Sequence, residues 1–214
     1  MSQGNFNLLS LNVRGLRDYK KNIKMFNWIA KHGGDNGVAF IQETHSTQEI
    51  TDEWSRRTRG KLVMSHGTSK SKGTAILFGS KLHFKTKDQI IDTNGRYVIV
   101  WSEIQGKHFL LVNTYFPNLE NEQVSLMKEI MEVINKIEYP IDTHMVWGGD
   151  FNFIFDQDLE AHGGNPTLKL RSIETMETIM LNFDLCDIWR LRNPEAKRFT
   201  WRGKGQGKRS QLIR

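Results

Sequence analysis

Cysteine is almost absent: Cys186 is the single one in 214 residues. A disulfide framework within the chain is excluded, and a reducing, intracellular compartment is the natural reading. No stretch approaches 18 uninterrupted apolar residues, so no membrane span is visible. Met1 to Leu11 lacks a positive segment followed by an apolar one, so no signal peptide is visible either. One cysteine and seven scattered histidines give no zinc-ligand spacing. A GxxxxGK[ST] phosphate loop, a GxSxG elbow and a GxGxxG turn are all missing. What is present is ordinary for a folded protein. Apolar residues make up 38% and charged residues 25%, which excludes disordered, collagen-like and low-complexity classes. The length is enough for a sizeable core in about one domain.

The net charge of +6 is unevenly spread. Residues 1–87 carry 15 Lys and Arg against 6 Asp and Glu, and residues 88–197 carry 9 against 18. Residues 198–214 carry 6 against none, so the body is neutral and the excess lies in the tail. Whole-chain basicity is therefore a weak argument. A local one is stronger: from Trp54 to Lys87 there are nine basic residues and no acidic one. A one-signed segment of this kind meets phosphates or forms a solvated basic face.

Hydrophobic patterning predicts strands over Asn5–Val13, Gly37–Gln42, Lys61–His66, Gly73–Phe78, Arg96–Ile104, Lys107–Tyr115 and Thr143–Trp147. Helical spacing predicts helices over Lys21–Lys31, Gln48–Arg59, Glu120–Ile137 and Leu170–Phe183. Phe199–Trp201 reads as the start of a further strand. Strands outnumber well-separated helices, which favours an α/β layered domain over a bundle. No linker and no repeat is visible, so one domain over 5–201 with a basic tail over 202–214 is expected.

Several of the apolar strands end in polar residues that are costly to bury unpaired. One ends at Asn12, one at Glu43, one at Tyr115, and VWGGDFN ends at Asp150 and Asn152. Sites are built where strand ends share one edge of a layered sheet. If these five converge, their chemistry is coherent. Glu43 is a hard oxygen ligand suited to Mg²⁺ with retained waters. Asp150 can take a proton from an attacking water, and Asn12 and Asn152 can orient a phosphate without adding charge. Tyr115 can donate to a phosphoryl oxygen. That combination describes metal-assisted hydrolysis of a phosphate ester. The bland reading of each residue alone is a turn former or a half-buried strand end. His45 and His162 read as loop histidines, and the methionines at 127, 131, 176 and 180 as helix core.

Five motifs occur in order: LNVRGL (Leu11–Leu16), IQETH (Ile41–His45), GTAILF (Gly73–Phe78), NTYFPN (Asn113–Asn118) and GGDFN (Gly148–Asn152). Together they resemble the endonuclease domain of non-LTR, LINE-type retrotransposons. That domain belongs to the superfamily of exonuclease III, apurinic endonucleases and deoxyribonuclease I. The resemblance spans about Asn5 to Trp201. It implies a four-layered α/β sandwich of two packed mixed sheets flanked by helices. It implies nicking of DNA with Mg²⁺, or Mn²⁺, to leave a 3′-hydroxyl for reverse transcription. A monomeric domain in a polyprotein that also holds a reverse transcriptase, acting in the nucleus and without a membrane, follows from the same resemblance. It assigns Glu43 to the metal and Asp150, Asn152, Tyr115 and Asn12 to catalysis. Thr200, in RFTW, matches a threonine near the DNA surface, and Arg14, Lys70 and Lys72 are expected to contact DNA.

Two departures qualify the match. Arg14 stands where the repair enzymes carry an acidic residue, so their metal shell does not transfer whole. The family's last strands and terminal Ser-Asp-His block have no counterpart before Arg214, so a C-terminally truncated and impaired domain is expected. A catalytically dead DNA-binding remnant and a phosphomonoesterase of the same superfamily are the alternatives.

Overall fold

The computed structural model describes residues 5–162, 167–197, 201–202 and 211–212. The chain divides into two compact units. The first comprises Met1–Tyr115 and Tyr139–Asp150, the second Phe116–Glu138 and Phe151–Arg214.

The first unit holds two mixed four-stranded sheets. In one, β1 (Asn7–Asn12), β2 (Gly37–Gln42), β3 (Lys61–Ser65) and β4 (Thr74–Phe78) lie in the order β1-β2-β4-β3. β1 and β2 run parallel, with Asn12 opposite Gln42. In the other sheet β5 (Phe84–Ile91), β6 (Tyr97–Ile104), β7 (Lys107–Tyr115) and β8 (His144–Asp150) follow chain order. β7 and β8 run parallel, with Tyr115 opposite Asp150.

Side-chain alternation explains the layering. In β2, Val38 and Phe40 face a cluster shared with Ile76 and Phe78 of β4 and Val98, Val100 and Leu111 of the second sheet. The intervening Ala39 and Ile41 face helices α1 (Tyr19–Lys31) and α2 (Thr51–Thr58), where Phe26, Ile29 and Trp54 cover them. β2 is buried on both faces, which is why it reads as an unbroken apolar run. The Asp18 side chain caps α1 by accepting from the Lys21 N–H at 2.7 Å. Gly148 lets the two sheets approach: a Cβ there would lie 2.5 Å from the Phe40 ring.

The second unit is built on α3 (Glu120–Ile134) and α5 (Leu170–Asn182). Val124, Met127 and Ile130 of α3 and Ile173, Met176 and Ile179 of α5 are buried. Its other elements are α4 (Gln157–Glu160), α6 (Ile188–Arg192) and a small sheet of β9 (Ala161–His162), β10 (Trp201–Arg202) and β11 (Gln211–Leu212).

β5 lay outside the strands expected from sequence. Its residues FKTKDQII are polar from Lys85 to Gln89 and lie at a sheet edge, with a bulge at Thr86–Asp88. Charges on an edge strand blunt edge-to-edge pairing and hide the strand from an apolar-run reading. The expected helix over Gln48–Arg59 is a 3₁₀ turn at Gln48–Ile50 leading into α2.

Candidate active site

Both parallel strand pairs end at one place. Asn12 closes β1 and Glu43 follows β2, while Tyr115 closes β7 and Asp150 closes β8. The Asn12 amide joins the two sheets: Nδ2 donates to Glu43 Oε1 at 2.8 Å and to Asp150 Oδ2 at 2.7 Å. Its orientation is fixed from behind, because Oδ1 accepts the Arg14 N–H at 3.0 Å. One amide nitrogen thus sits between two carboxylates contributed by different sheets.

Tyr115 completes the group. Its hydroxyl is pushed up from 10.0 to about 12, by burial first, then by the charge of Glu43, a hydrogen bond to Glu43 and the charge of Asp150. The phenol is therefore a proton donor throughout the neutral range. Arg96 pulls the other way. Its guanidinium lies 5.1 Å from the Tyr115 ring centroid and donates to the Tyr115 carbonyl at 3.3 Å.

Backbone strain concentrates here. Arg14, Glu43 and His45 all adopt φ near +50° without being glycine. Such conformations cost of order 1–3 kcal/mol each and persist only where surrounding contacts over-determine them. Those contacts are present. The Gly15 N–H donates to the Glu43 carbonyl at 2.6 Å and the Leu16 N–H to that of Thr44 at 2.9 Å. The Thr44 N–H reaches the Gly73 carbonyl at 3.0 Å and the His45 N–H that of Lys72 at 2.9 Å. His45, a loop histidine as expected, has its Nε2 3.7 Å from Glu43 Oε2, at the rim of the group.

The expected site residues are thus distributed unevenly. Asn12, Glu43, Tyr115 and Asp150 come together in the first unit. Asn152 belongs to the second unit, with φ of +52° and its Nδ2 donating to the Phe116 carbonyl at 2.7 Å. Its own carbonyl accepts from Lys169 Nζ at 2.5 Å and Gln123 Nε2 at 3.2 Å. Arg14 serves the group through its backbone N–H, and its side chain is exposed. Lys70 is exposed and Lys72 half-buried on the loop between β3 and β4. Thr200 lies outside the described residues, as does most of the 198–214 run. Arg96 was not singled out from sequence; its only signal was a cation directly before a buried strand.

The nine-cation segment is not one-signed in space. Arg57 pairs with Glu53, Lys81 with Asp35 at 3.4 Å and Lys87 with Glu103 at 2.8 Å. Lys70 and Lys72 have no ion-pair partner among the described residues.

The donor set can be matched to a metal by its chemistry. Among the described residues no cluster of three or more His, Cys, Asp or Glu is present. Two converging carboxylates with neutral amide and hydroxyl neighbours fit a hard cation that keeps several waters, as Mg²⁺ does.

A model of the endonuclease/exonuclease/phosphatase family matches residues 4–209. The chain belongs to that family. Members of the family are typically metal-dependent, in keeping with the donor set. Over 193 residues the chain is 27% identical to an uncharacterized 149 kDa protein of transposon TX1 from Xenopus laevis, covering 90% of this chain. It spans 14% of that relative's length. Among solved structures, an AP endonuclease from Archaeoglobus fulgidus superposes with a TM-score of 0.69. It is 17% identical, over 96% of this chain and 86% of that one. The endonuclease domain of TRAS1, a telomere-specific non-LTR retrotransposon, superposes at 0.60 with 17% identity, over 98% and 82% of the two chains. A 3′ phosphatase from Neisseria with the same fold was solved bound to a product DNA hairpin, at 0.66, 16% identity, and 97% and 86% coverage. These likenesses establish an AP-endonuclease-like α/β fold for this family member.

Proposed function

We propose that this chain is a Mg²⁺-dependent DNA endonuclease domain of a retrotransposon, nicking a target strand to leave a 3′-hydroxyl. The observation that carries the reading is the Asn12 amide held between Glu43 and Asp150 beside the Tyr115 hydroxyl. The order of the five motifs and the kinship with a transposon protein support the retrotransposon setting. In that setting a reverse transcriptase elsewhere in the polyprotein would extend the 3′-hydroxyl, and the domain would act in the nucleus.

In this reading Glu43 holds the metal with Asp150 close by. A bound Mg²⁺ supplies Lewis acidity at a phosphoryl oxygen and charge neutralisation. Asp150 accepts a proton of the attacking water as its oxygen bonds to phosphorus and the bond from phosphorus to the 3′-oxygen breaks, the departing oxygen taking a proton from solvent to become the 3′-hydroxyl. Asn12 keeps Asp150 and Glu43 in fixed orientation. Tyr115 donates its hydroxyl proton in a hydrogen bond to the phosphate, which its raised pKa leaves available at neutral pH. Lys70, Lys72 and Arg14 contact the DNA backbone, and the motif resemblance alone adds Asn152 and Thr200 as phosphate and DNA contacts.

The test is conversion of supercoiled plasmid to the nicked circle with and without Mg²⁺, followed by extension of the product with a polymerase. Extension without end repair is expected, since only a 3′-hydroxyl primes. Release of inorganic phosphate from small phosphoesters without nicking would indicate a phosphomonoesterase. Plasmid binding with no cleavage in Mg²⁺ or Mn²⁺ would indicate a binding remnant.

A further inference from the structure

Beneath the strand ends lies a polar chain that the nuclease chemistry does not use. Gln42 is 1% exposed and Asn113 is fully buried. Gln42 Nε2 donates to Asn113 Oδ1 at 2.8 Å and to Ser10 Oγ at 3.2 Å. Asn113 Nδ2 in turn donates to the carbonyls of Ala75 at 2.8 Å and Ile41 at 3.2 Å. Ile41 and Ala75 are directly opposed in the β2–β4 ladder. The chain therefore ties β1, β2 and β4 of one sheet to β7 of the other through buried amides.

Its place along each strand is informative. Ser10 precedes Asn12 by two residues, so both sit on the same face of β1. Gln42 directly precedes Glu43, and Asn113 precedes Tyr115 by two on β7. Most of the surface between the sheets is apolar, filled by Phe40, Ile76, Val98, Val100 and Leu111, with the small polar Thr74 and Ser102 buried on the same faces. Apolar contacts are non-directional, whereas a buried amide pair has one satisfied register. A one-residue slip would orphan two amide groups and separate Glu43 from Tyr115.

We propose that Gln42 and Asn113 are positioning residues that fix the register between the two sheets and so hold Glu43 and Asn12 against Tyr115 and Asp150. The proposal rests on the nuclease reading for its catalytic consequence but not for its geometric one. Gln42→Met with Asn113→Leu removes both partners with near-isosteric apolar groups, a change that leaves stability nearly intact where single replacements orphan an amide.

The first readout is geometric and needs neither metal nor DNA. In a crystal structure of the double variant the Asn12 Nδ2–Asp150 Oδ2 separation, 2.7 Å in the wild type, should open beyond hydrogen-bonding reach, since the two sheets are no longer held in register. Calorimetry should show Mg²⁺ affinity about ten- to a hundredfold weaker, and nicking should lose a similar factor in kcat with KM for DNA unchanged. A double variant with the wild-type Asn12–Asp150 distance, Mg²⁺ affinity and kcat overturns the proposal. A wild-type chain that nicks nothing overturns the nuclease reading, while the Asn12–Asp150 distance still decides the bridge. If the double variant does not melt cooperatively, the wild type decides: its Gln42 and Asn113 side-chain amide protons should exchange as slowly as the β2 backbone. Fast exchange of those protons overturns the bridge.

Discussion

Asn12 Nδ2 lies 2.7 Å from Asp150 Oδ2, a bond between residues 138 positions apart that joins the ends of β1 and β8. The same nitrogen serves Glu43, so one amide satisfies two carboxylates that would otherwise repel. Asn12→Ala should leave both carboxylates without this donor and lower nicking by about a hundredfold or more. Asn12→Asp should be worse for stability, because a third carboxylate is placed against the other two. The check is kcat for both variants beside their thermal midpoints: equal activity in Asn12→Ala and wild type would remove Asn12 from the site.

Tyr115→Phe separates the hydroxyl from the ring. The folded-state pKa of Tyr115 is raised, so its contribution is fully present below pH 10 and is lost as pH rises toward about 12. Wild-type stability should therefore fall across that alkaline window, and Tyr115→Phe should flatten the fall. The nicking rate of the wild type should show no step from Tyr115 between pH 7 and 9. A midpoint-against-pH series for the two proteins tests the first statement, and a rate profile tests the second.

How far the site was legible in the sequence depends on what each residue faces. Asn12, Glu43, Tyr115 and Asp150 ended apolar runs, and a polar residue at the end of a buried strand is conspicuous. Gln42 and Asn113 stood inside the same motifs yet looked like their continuation, because their partners are in the opposite sheet and pairing between sheets leaves no periodic trace. Arg96 was hidden similarly: its role depends on β6 and β7 being neighbours, so that its carbonyl accepts the Tyr115 N–H at 2.7 Å. The ion pairs of the basic segment were equally illegible. Sequence proximity made Lys81 and Lys87 part of one basic stretch, whereas folding brings Asp35 and Glu103 to them from outside it.

Gly148→Ala tests the closeness of the sheets. The added Cβ would lie 2.5 Å from Phe40 Cδ2 and 2.9 Å from Cε2, inside any real contact. Overpacking of this kind costs about 1–3 kcal/mol. Phe40→Leu removes the ring that is struck, so the pair Gly148→Ala with Phe40→Leu should be less destabilised than the sum of the single changes. Denaturant midpoints of the four proteins check this, and strict additivity would show that the clash is relieved elsewhere.

His66 gives an acid-side prediction. Its ring spans Ser46 and Thr51, with Nδ1 3.0 Å from Ser46 Oγ and Nε2 3.1 Å from Thr51 Oγ1. Burial lowers its pKa below 6.5. A group with a depressed folded pKa binds fewer protons folded than unfolded, so stability is complete above 6.5 and is lost as pH falls through the folded value. His66→Gln keeps hydrogen-bonding capacity without the charge. It should melt close to wild type at pH 7.5 and be less sensitive to acid below pH 6.5, as a midpoint series would read directly.

The last prediction concerns which cations meet DNA. Each phosphate neutralised by a lysine contributes about 0.9 to the slope of log K against log salt. Lys70 and Lys72 are on the loop whose backbone carries the Glu43–His45 turn, through the bond from the His45 N–H to the Lys72 carbonyl. Lys81 is instead held by Asp35. Replacing Lys70 and Lys72 together with Gln should therefore reduce the salt slope by up to about 1.8 and weaken binding at low salt. Lys81→Gln should leave the slope near wild type, because its removal also releases a local carboxylate. Equal slopes for all three proteins would place the DNA on another face, and a larger loss from Lys81→Gln would mean that DNA displaces Asp35 from Lys81 on binding.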